Sequence, residues 1–338
     1  MEQKKMYING KWVKADNGEV IEILNPATEK VFATVPKAGQ YDVERAIDAA
    51  DNAFPTWASL SPFERGEILR KASNIALENS REIASYMTRE EGKPLDEAEG
   101  EVKKGASILQ YYAEEGERVY GRIIDNEKTN IESRVIYQPV GVAAAISPWN
   151  YPIELIAWKI AGALAAGCTL VAKLPSQTPL SPLAFIECLE EAGIPDGVLN
   201  AVTGPGSEIG TILTQSKKIK KVAFTGSTET GRKVLDNCVD SLKKVSLELG
   251  GSLPMVISKD CNLDKAVEGA VYRSFRNMGQ ICIAVNRIYV QDSIYDKFLK
   301  KFKKETQKLV IGNGITDDCD LGPMCTPEGL EKTRRHIK

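Results

Sequence analysis

From Gly141 onward the chain alternates short apolar runs with segments of helical period, and this alternation narrows the possible folds more than any other feature. Strands are expected at 141–147, 168–173, 198–202, 221–225 and 244–248, and helices at 152–166, 181–192, 207–215 and 228–238. Gly167, Pro195, Gly197 and Gly226 punctuate the connections. Repetition of this kind predicts an α/β fold, a Rossmann-like doubly wound parallel sheet with helices on both faces. Ligands of such sheets bind beyond the carboxyl ends of the strands. After Gly251 a second α/β series begins, with strands at 254–258 and 286–291 and helices at 263–277 and 294–310.

The first 140 residues follow other periods. Residues 7–35 read as short strands, with Asn9-Gly10 and Asn17-Gly18 as turns. Val43, Ala46, Ile47, Ala50 and Ala53 recur at helical spacing and are expected to stop at Pro55. Ser61-Pro62-Phe63-Glu64 offers an N-cap, a proline at the first helical position and a capping-box glutamate, opening a helix to about Glu78. Further helices are expected at 80–91 and 95–117. In 121–140, Ile123-Ile124 and Val135-Ile136-Tyr137 flank a polar tip, which predicts a two-stranded excursion whose edge could pair with another subunit.

With 338 residues the chain exceeds the usual size of a single core, so two domains are expected. Its net charge of −2 leaves no basic excess to neutralise phosphates and excludes nucleic acid as the main partner. The lysine-rich run 297–308 reads as the solvated face of a helix whose buried side is Leu299, Phe302 and Leu309. The seven cysteines contain no CxxC and are odd in number, which points to free thiols in a reducing compartment, with Cys168 and Cys188 in the core. The single histidine, His336, removes Ser-His-Asp and Cys-His catalysis and argues against any metal site. No signal-peptide pattern opens the chain, and the longest apolar run, 13 residues from Ile160 to Ala172, is too short to span a bilayer. A cytoplasmic protein without a membrane partner is expected.

Several segments carry chemistry. Ser147-Pro148-Trp149-Asn150-Tyr151-Pro152 lies where a strand ends and a helix begins; its asparagine amide can donate to an oxyanion, and a plain turn explains the same residues. Past the next strand, Lys173 and Ser176 stand where a carboxylate would favour a free ribose 2′-hydroxyl. A cation and a hydroxyl there accommodate a 2′-phosphate, and a solvated strand-end lysine is the rival reading. Gly204-Pro205-Gly206-Ser207-Glu208-Ile209-Gly210 departs from GxGxxG by one residue and is a weak signal. Phe224-Thr225-Gly226-Ser227 leads a strand into a helix N-terminus, where free N–H groups can bind phosphate. Finally, a thiol at Cys282 can attack a carbonyl carbon, and a carboxylate at Glu248 can activate water to release the acyl group.

Pro148-Trp149-Asn150, Lys173-x-x-Ser176, Phe224-Thr225-Gly226-Ser227, Leu247-Glu248-Leu249-Gly250-Gly251 and Gly279-Gln280-x-Cys282 together resemble the aldehyde dehydrogenase superfamily, over a span from about Tyr7 to the end. The resemblance implies oxidation of an aldehyde to a carboxylic acid. Cys282 would be the nucleophile, with a depressed pKa near a helix terminus. Asn150 and the Cys282 N–H would form the oxyanion hole, Glu248 would activate water, and Lys159 would tune the local charge. Trp149, Gly206, Gly210, Gly226, Ser227 and Leu249 would contact the cofactor. Lys173 and Ser176 match members that use NADP, with NAD possible.

The nearest subgroup resembles the semialdehyde dehydrogenases, on Lys173-x-x-Ser-Gln-Thr-Pro179, Val119-Tyr120-Gly121 and Asn286-Arg287-x-Tyr289-Val290. Two departures weigh against succinate semialdehyde itself: Trp158 stands where that subgroup has an arginine, and Ala284 where it often has a second cysteine. The implied organisation is a dinucleotide-binding domain (1–120 and 141–248), an oligomerisation hairpin (121–140) and a partial catalytic domain (249–338). The resemblance also implies a longer parent that is a homo-oligomer, a dimer or tetramer. A chain ending at Lys338 is then expected to be inactive or poorly folded alone. A cofactor-binding fragment and a CoA-acylating relative are the alternatives, and Glu248 disfavours the latter.

Overall fold

The computed structural model describes residues 2–337. The strands are β1 (Glu2–Gln3), β2 (Met6–Ile8), β3 (Lys11–Val13), β4 (Val20–Asn25), β5 (Lys30–Pro36), β6 (Arg122–Ile124), β7 (Ser133–Val135), β8 (Val142–Ile146), β9 (Leu170–Lys173), β10 (Leu199–Val202), β11 (Ile219–Gly226), β12 (Lys244–Leu249), β13 (Leu253–Ile257) and β14 (Val285–Val290). The helices are α1 (Gln40–Ser59), α2 (Pro62–Glu78), α3 (Ser80–Glu91), α4 (Leu95–Glu117), α5 (Glu154–Ala165), α6 (Leu180–Glu191), α7 (Gly206–Gln215), α8 (Thr228–Cys238), α9 (Leu263–Phe275), α10 (Tyr295–Thr306) and α11 (Pro327–Ile337).

The main sheet has seven strands in the order β12-β11-β8-β9-β10-β2-β3. Its first five are mutually parallel, and β2 joins antiparallel. The parallel strands thus turn outward in both directions from β8, leaving a crevice between the carboxyl ends of β8 and β11 where the winding reverses. Burial on both faces explains the apolar strand sequences. On β8, Ala143 and Ala145 pack with α2 to α6, whereas Val142, Ala144 and Ile146 pack with α1, α7 and α8. A third core, Ile257, Val267, Ala270 and Phe298 with their neighbours, draws only on residues 255–302 and lies around the parallel pair β13-β14. β6 and β7 form the expected antiparallel excursion, with Ile123, Ile136 and Tyr137 exposed.

Two expectations are corrected. α1 does not stop at Pro55 but continues to Ser59. Pro55 lies on the exposed side, while Trp57 is buried and donates its Nε1–H to the Leu164 carbonyl at 3.2 Å, so tertiary burial holds the last turn. On α10 the buried side is set by Phe298, stacked on Phe302 with ring centroids 5.6 Å apart, and Leu299 is exposed. Among the described residues no helix is long and apolar enough to cross a membrane.

Candidate active site

The site occupies the crevice that the sheet topology creates. β8 ends at Ile146, and the turn Ser147–Ile153 carries Trp149 and Asn150 into the helix α5. β11 ends in Thr225-Gly226, and Ser227 caps α8 by accepting from the Thr230 N–H at 3.2 Å. The Ser227 hydroxyl is therefore engaged in the fold, and what it leaves for a ligand is the helix N-terminus behind it. Gly226 has a local reason too: a Cβ there would lie 2.5 Å from the Phe224 ring.

Two cavities meet at this point. The first, of about 470 Å³, is lined by Trp149, Lys173, Ser176, Gly206, Gly210, Gly226 and Ser227. Lys173 is buried, its Nζ lies 3.1 Å from Ser176 Oγ, and Ser176 donates to the Gly204 carbonyl at 2.9 Å. Burial alone pulls the Lys173 ammonium down to about 8. A Cβ on Gly210 would meet nothing within 4 Å, and one on Gly206 only Lys173 Nζ at 3.7 Å. The groove is thus cradled by bare backbone at a helix start with a cation beside it, which suits a phosphate-bearing ligand.

The second cavity, of about 590 Å³, holds Trp149, Asn150, Leu249, Gly251, Gln280 and Cys282, with Lys332, Thr333 and His336 of α11 in its wall. Cys282 is exposed in the loop between α9 and β14, three residues past the 3-10 turn Arg276–Gly279. That loop turns through left-handed Asn277 (φ 51°), Met278 (φ 55°) and Gly279 (φ 73°). The Asn150 amide donates to the Gln280 carbonyl at 2.8 Å, which brings it against the cysteine loop. Among the described residues the Cys282 N–H has no acceptor. Gly251 also approaches the loop, since a Cβ on it would lie 3.5 Å from the Cys282 carbonyl.

Glu248 is not in this cavity. It faces a third, of about 460 Å³, with Trp158, Lys159 and Tyr112, because alternate residues of β12 point to opposite faces and Leu247 and Leu249 take the other. Lys159 donates to Thr225 Oγ1 at 2.7 Å and to the Leu155 carbonyl at 2.9 Å. Burial pulls its ammonium down to about 8, with the Glu248 carboxylate opposing. Thr225 lines all three cavities, so it is the partition between them, a role its place inside a recognised motif did not reveal. Trp158 packs edge-on against Tyr112 at 5.9 Å, and both line this cavity.

Comparison with known proteins identifies the family of this fold. The pattern of the aldehyde dehydrogenase family matches residues 12–338. The chain belongs to the aldehyde dehydrogenase family. It is 47% identical over 336 residues to the glutarate-semialdehyde dehydrogenase of Pseudomonas putida, spanning 99% of this chain and 70% of that protein. It is 46% identical to the NADP(+) succinate-semialdehyde dehydrogenase of Escherichia coli, over 99% of this chain and 70% of that one. Among solved structures, an E. coli NADP-dependent enzyme superposes with a TM-score of 0.98 at 46% identity, covering 99% of this chain and 70% of its own. Family membership makes the chain an oxidoreductase of aldehydes.

Proposed function

We propose that the chain oxidises a semialdehyde-like substrate to the carboxylic acid, with NADP preferred over NAD and Cys282 as nucleophile. The observation that carries this reading is one cavity holding an exposed Cys282 thiol, the unpartnered Cys282 N–H and the Asn150 amide, which donates to the Gln280 carbonyl two residues before the thiol. Cys282 Sγ adds to the aldehyde carbon, and the oxygen that gains charge is held by those two donors. NADP, when bound, supplies the two-electron acceptor that turns the Cys282 adduct into a thioester. Lys173 and Ser176 hold its 2′-phosphate, and Gly206, Gly210, Gly226, Ser227, Trp149 and Leu249 line its path toward Cys282.

Glu248 then removes a proton from water as the water attacks the thioester carbonyl, and Cys282 leaves as the thiolate. Glu248 is exposed on the edge strand β12, in the cavity that adjoins the thiol's across Thr225. The half-buried Lys159 ammonium faces it.

Several features support the finer parts of the reading. The relatives named for glutarate and succinate semialdehydes favour a short aldehyde with a second acidic group. Seven unpaired cysteines favour a cytoplasmic setting. The apolar flank of the β6-β7 excursion favours a homo-oligomer. The separate core of residues 255–302 favours a domain boundary near residue 249. The test is NADPH formation with a panel of aldehydes, repeated with NAD and with Cys282→Ala. Turnover that prefers NADP and vanishes in the variant is expected; NADP binding without turnover overturns the reading.

A further inference from the structure

Behind the turn that carries Asn150 lies a cluster of charges with almost no access to solvent. Glu91, Lys93 and Glu101 are each no more than 2% exposed. Lys93 Nζ lies 2.5 Å from Glu101 Oε2 and 3.6 Å from Glu91 Oε2, and 4.0 Å from the centroid of the Tyr151 ring. Burying three ionisable groups is costly, and replacing such sets by apolar residues is often neutral or stabilising, so their presence calls for another reason.

Their remaining contacts supply one. Lys93 Nζ donates to the backbone carbonyl of Asn150 at 3.2 Å. Glu101 Oε1 accepts the N–H groups of Ile153 at 2.9 Å and Glu154 at 3.1 Å, the start of α5. The turn between these points is therefore gripped at both ends by one ion pair. On the other side, the fully buried Asn277 donates its amide to the same Asn150 carbonyl at 2.8 Å and to the Gln280 carbonyl at 3.3 Å. The Asn150 side chain closes the ring on Gln280.

We propose that Lys93, Glu91 and Asn277 are positioning residues that fix the Asn150 amide against the Cys282 loop. The proposal rests on the reading of Asn150 as an oxyanion donor. Lys93 holds the backbone of Asn150, and Asn277 ties that backbone to the loop that ends in Cys282. Glu91 completes the set. Both its carboxyl oxygens and Asn277 Oδ1 are buried without a partner, although the two side chains face each other. Burial raises the Glu91 carboxyl to about 8, against the Lys93 ammonium and the Asn277 amide, which both favour its charged form. Glu91 thus stands between Lys93 and Asn277, the two groups that hold the Asn150 carbonyl.

The test uses substitutions that separate positioning from folding. Asn277→Gly keeps the left-handed backbone at φ 51° and removes only the amide. Glu91→Gln keeps an oxygen acceptor beside Lys93, and Glu91→Ala removes it. The expected result is a fall in kcat of about 10-fold or more, part of the 10²–10³ an oxyanion donor supplies, for Asn277→Gly and Glu91→Ala. The Kd for NADP should stay within about twofold, and Glu91→Gln should restore kcat. A second readout needs no turnover: iodoacetamide should label Cys282 several-fold faster in Asn277→Gly, because the loop is released.

Asn150→Ala is measured alongside. If it leaves kcat intact, the oxyanion reading itself fails. If it abolishes turnover while Asn277→Gly and Glu91→Ala match the parent, only the positioning proposal is overturned. In a preparation without turnover, an unchanged labelling rate in Asn277→Gly overturns it.

Discussion

Lys173 gives the sharpest quantitative prediction, because burial is the only cause shifting it and its pH dependence has two opposite signs. In the folded protein its ammonium titrates at about 8, against an ordinary value of 10.5. For folding, the unfolded chain binds the extra proton between these values, so stability without ligand rises as pH climbs from 8 to 10.5, by about 3 kcal/mol in all. For NADP, the sign reverses. A 2′-phosphate favours the ammonium, so affinity is fully present below about 8 and is lost as pH rises through it. At pH 7 roughly nine-tenths of the groups are charged and at pH 9 roughly one-tenth, so Kd for NADP should rise about tenfold, or 1.4 kcal/mol. Lys173→Met should cost about 2–3 kcal/mol of NADP binding, the worth of a hydrogen bond to a charged group, and abolish the pH dependence. NAD, lacking the phosphate, should show neither effect. Calorimetric titration at pH 7, 8 and 9 with both nucleotides measures all of this. An NADP affinity that is flat over that range, or unchanged in Lys173→Met, refutes the assignment of this lysine to the 2′-phosphate.

Other substitutions probe the remaining parts. Glu248→Gln should give one burst of NADPH per site and then a steady rate lowered about 10²–10⁴-fold, since the thioester forms but water is not activated; stopped-flow absorbance separates the phases. Gly210→Leu fills open space in the groove, so its melting temperature should match the parent while NADP binding weakens at least about tenfold. Gly226→Ala places a methyl 2.5 Å from the Phe224 ring and should destabilise by about 1–3 kcal/mol, read as a lower urea midpoint.

Much of this architecture was legible because local and global signals agree. The 95–117 helix, the Ser61 capping box and every parallel strand of the main sheet lie where periodicity put them, within two residues at each end. What escaped was decided by distant partners. Pro55 breaks a local rule, but the buried Trp57 outweighs it. On α10, Phe298 and Leu299 are adjacent and both apolar, and only packing into the core with α9, β13 and β14 selects Phe298. The run Glu90-Glu91-Gly92-Lys93 has the composition of a solvated surface, yet it is buried by α4, α6 and the loop around Cys325. The separation of Glu248 from Cys282 into neighbouring cavities was likewise invisible, because alternation along β12 fixes a face only once the strand's neighbours are known.

Three lysines, Lys93 and Lys173 buried and Lys159 half-buried, show how far burial alone can be taken as a sign of function. Lys93 is enclosed by Glu91, Glu101 and the Tyr151 ring; burial opposes its charge, but the carboxylates outweigh burial and hold it above its ordinary value. Its charge is answered within the protein. Lys159 and Lys173 are different: each touches only a hydroxyl or carbonyl, none forms an ion pair among the described residues, and both fall to about 8. A fold gains no stability from a buried cation whose charge goes unanswered. Each of these two opens on a cavity, Lys173 on the cradle of bare glycine backbone and Lys159 on the side of Glu248. For Lys173 the counter-charge is brought from outside by a phosphate; for Lys159 it is the chain's own Glu248 carboxylate across the cavity. On this argument Lys159→Met should lose turnover with NADP affinity unchanged, and Lys173→Met should do the reverse at saturating NADP. If both variants fail in the same step, the two lysines do not serve separate anions and the division of the crevice by Thr225 has no functional meaning.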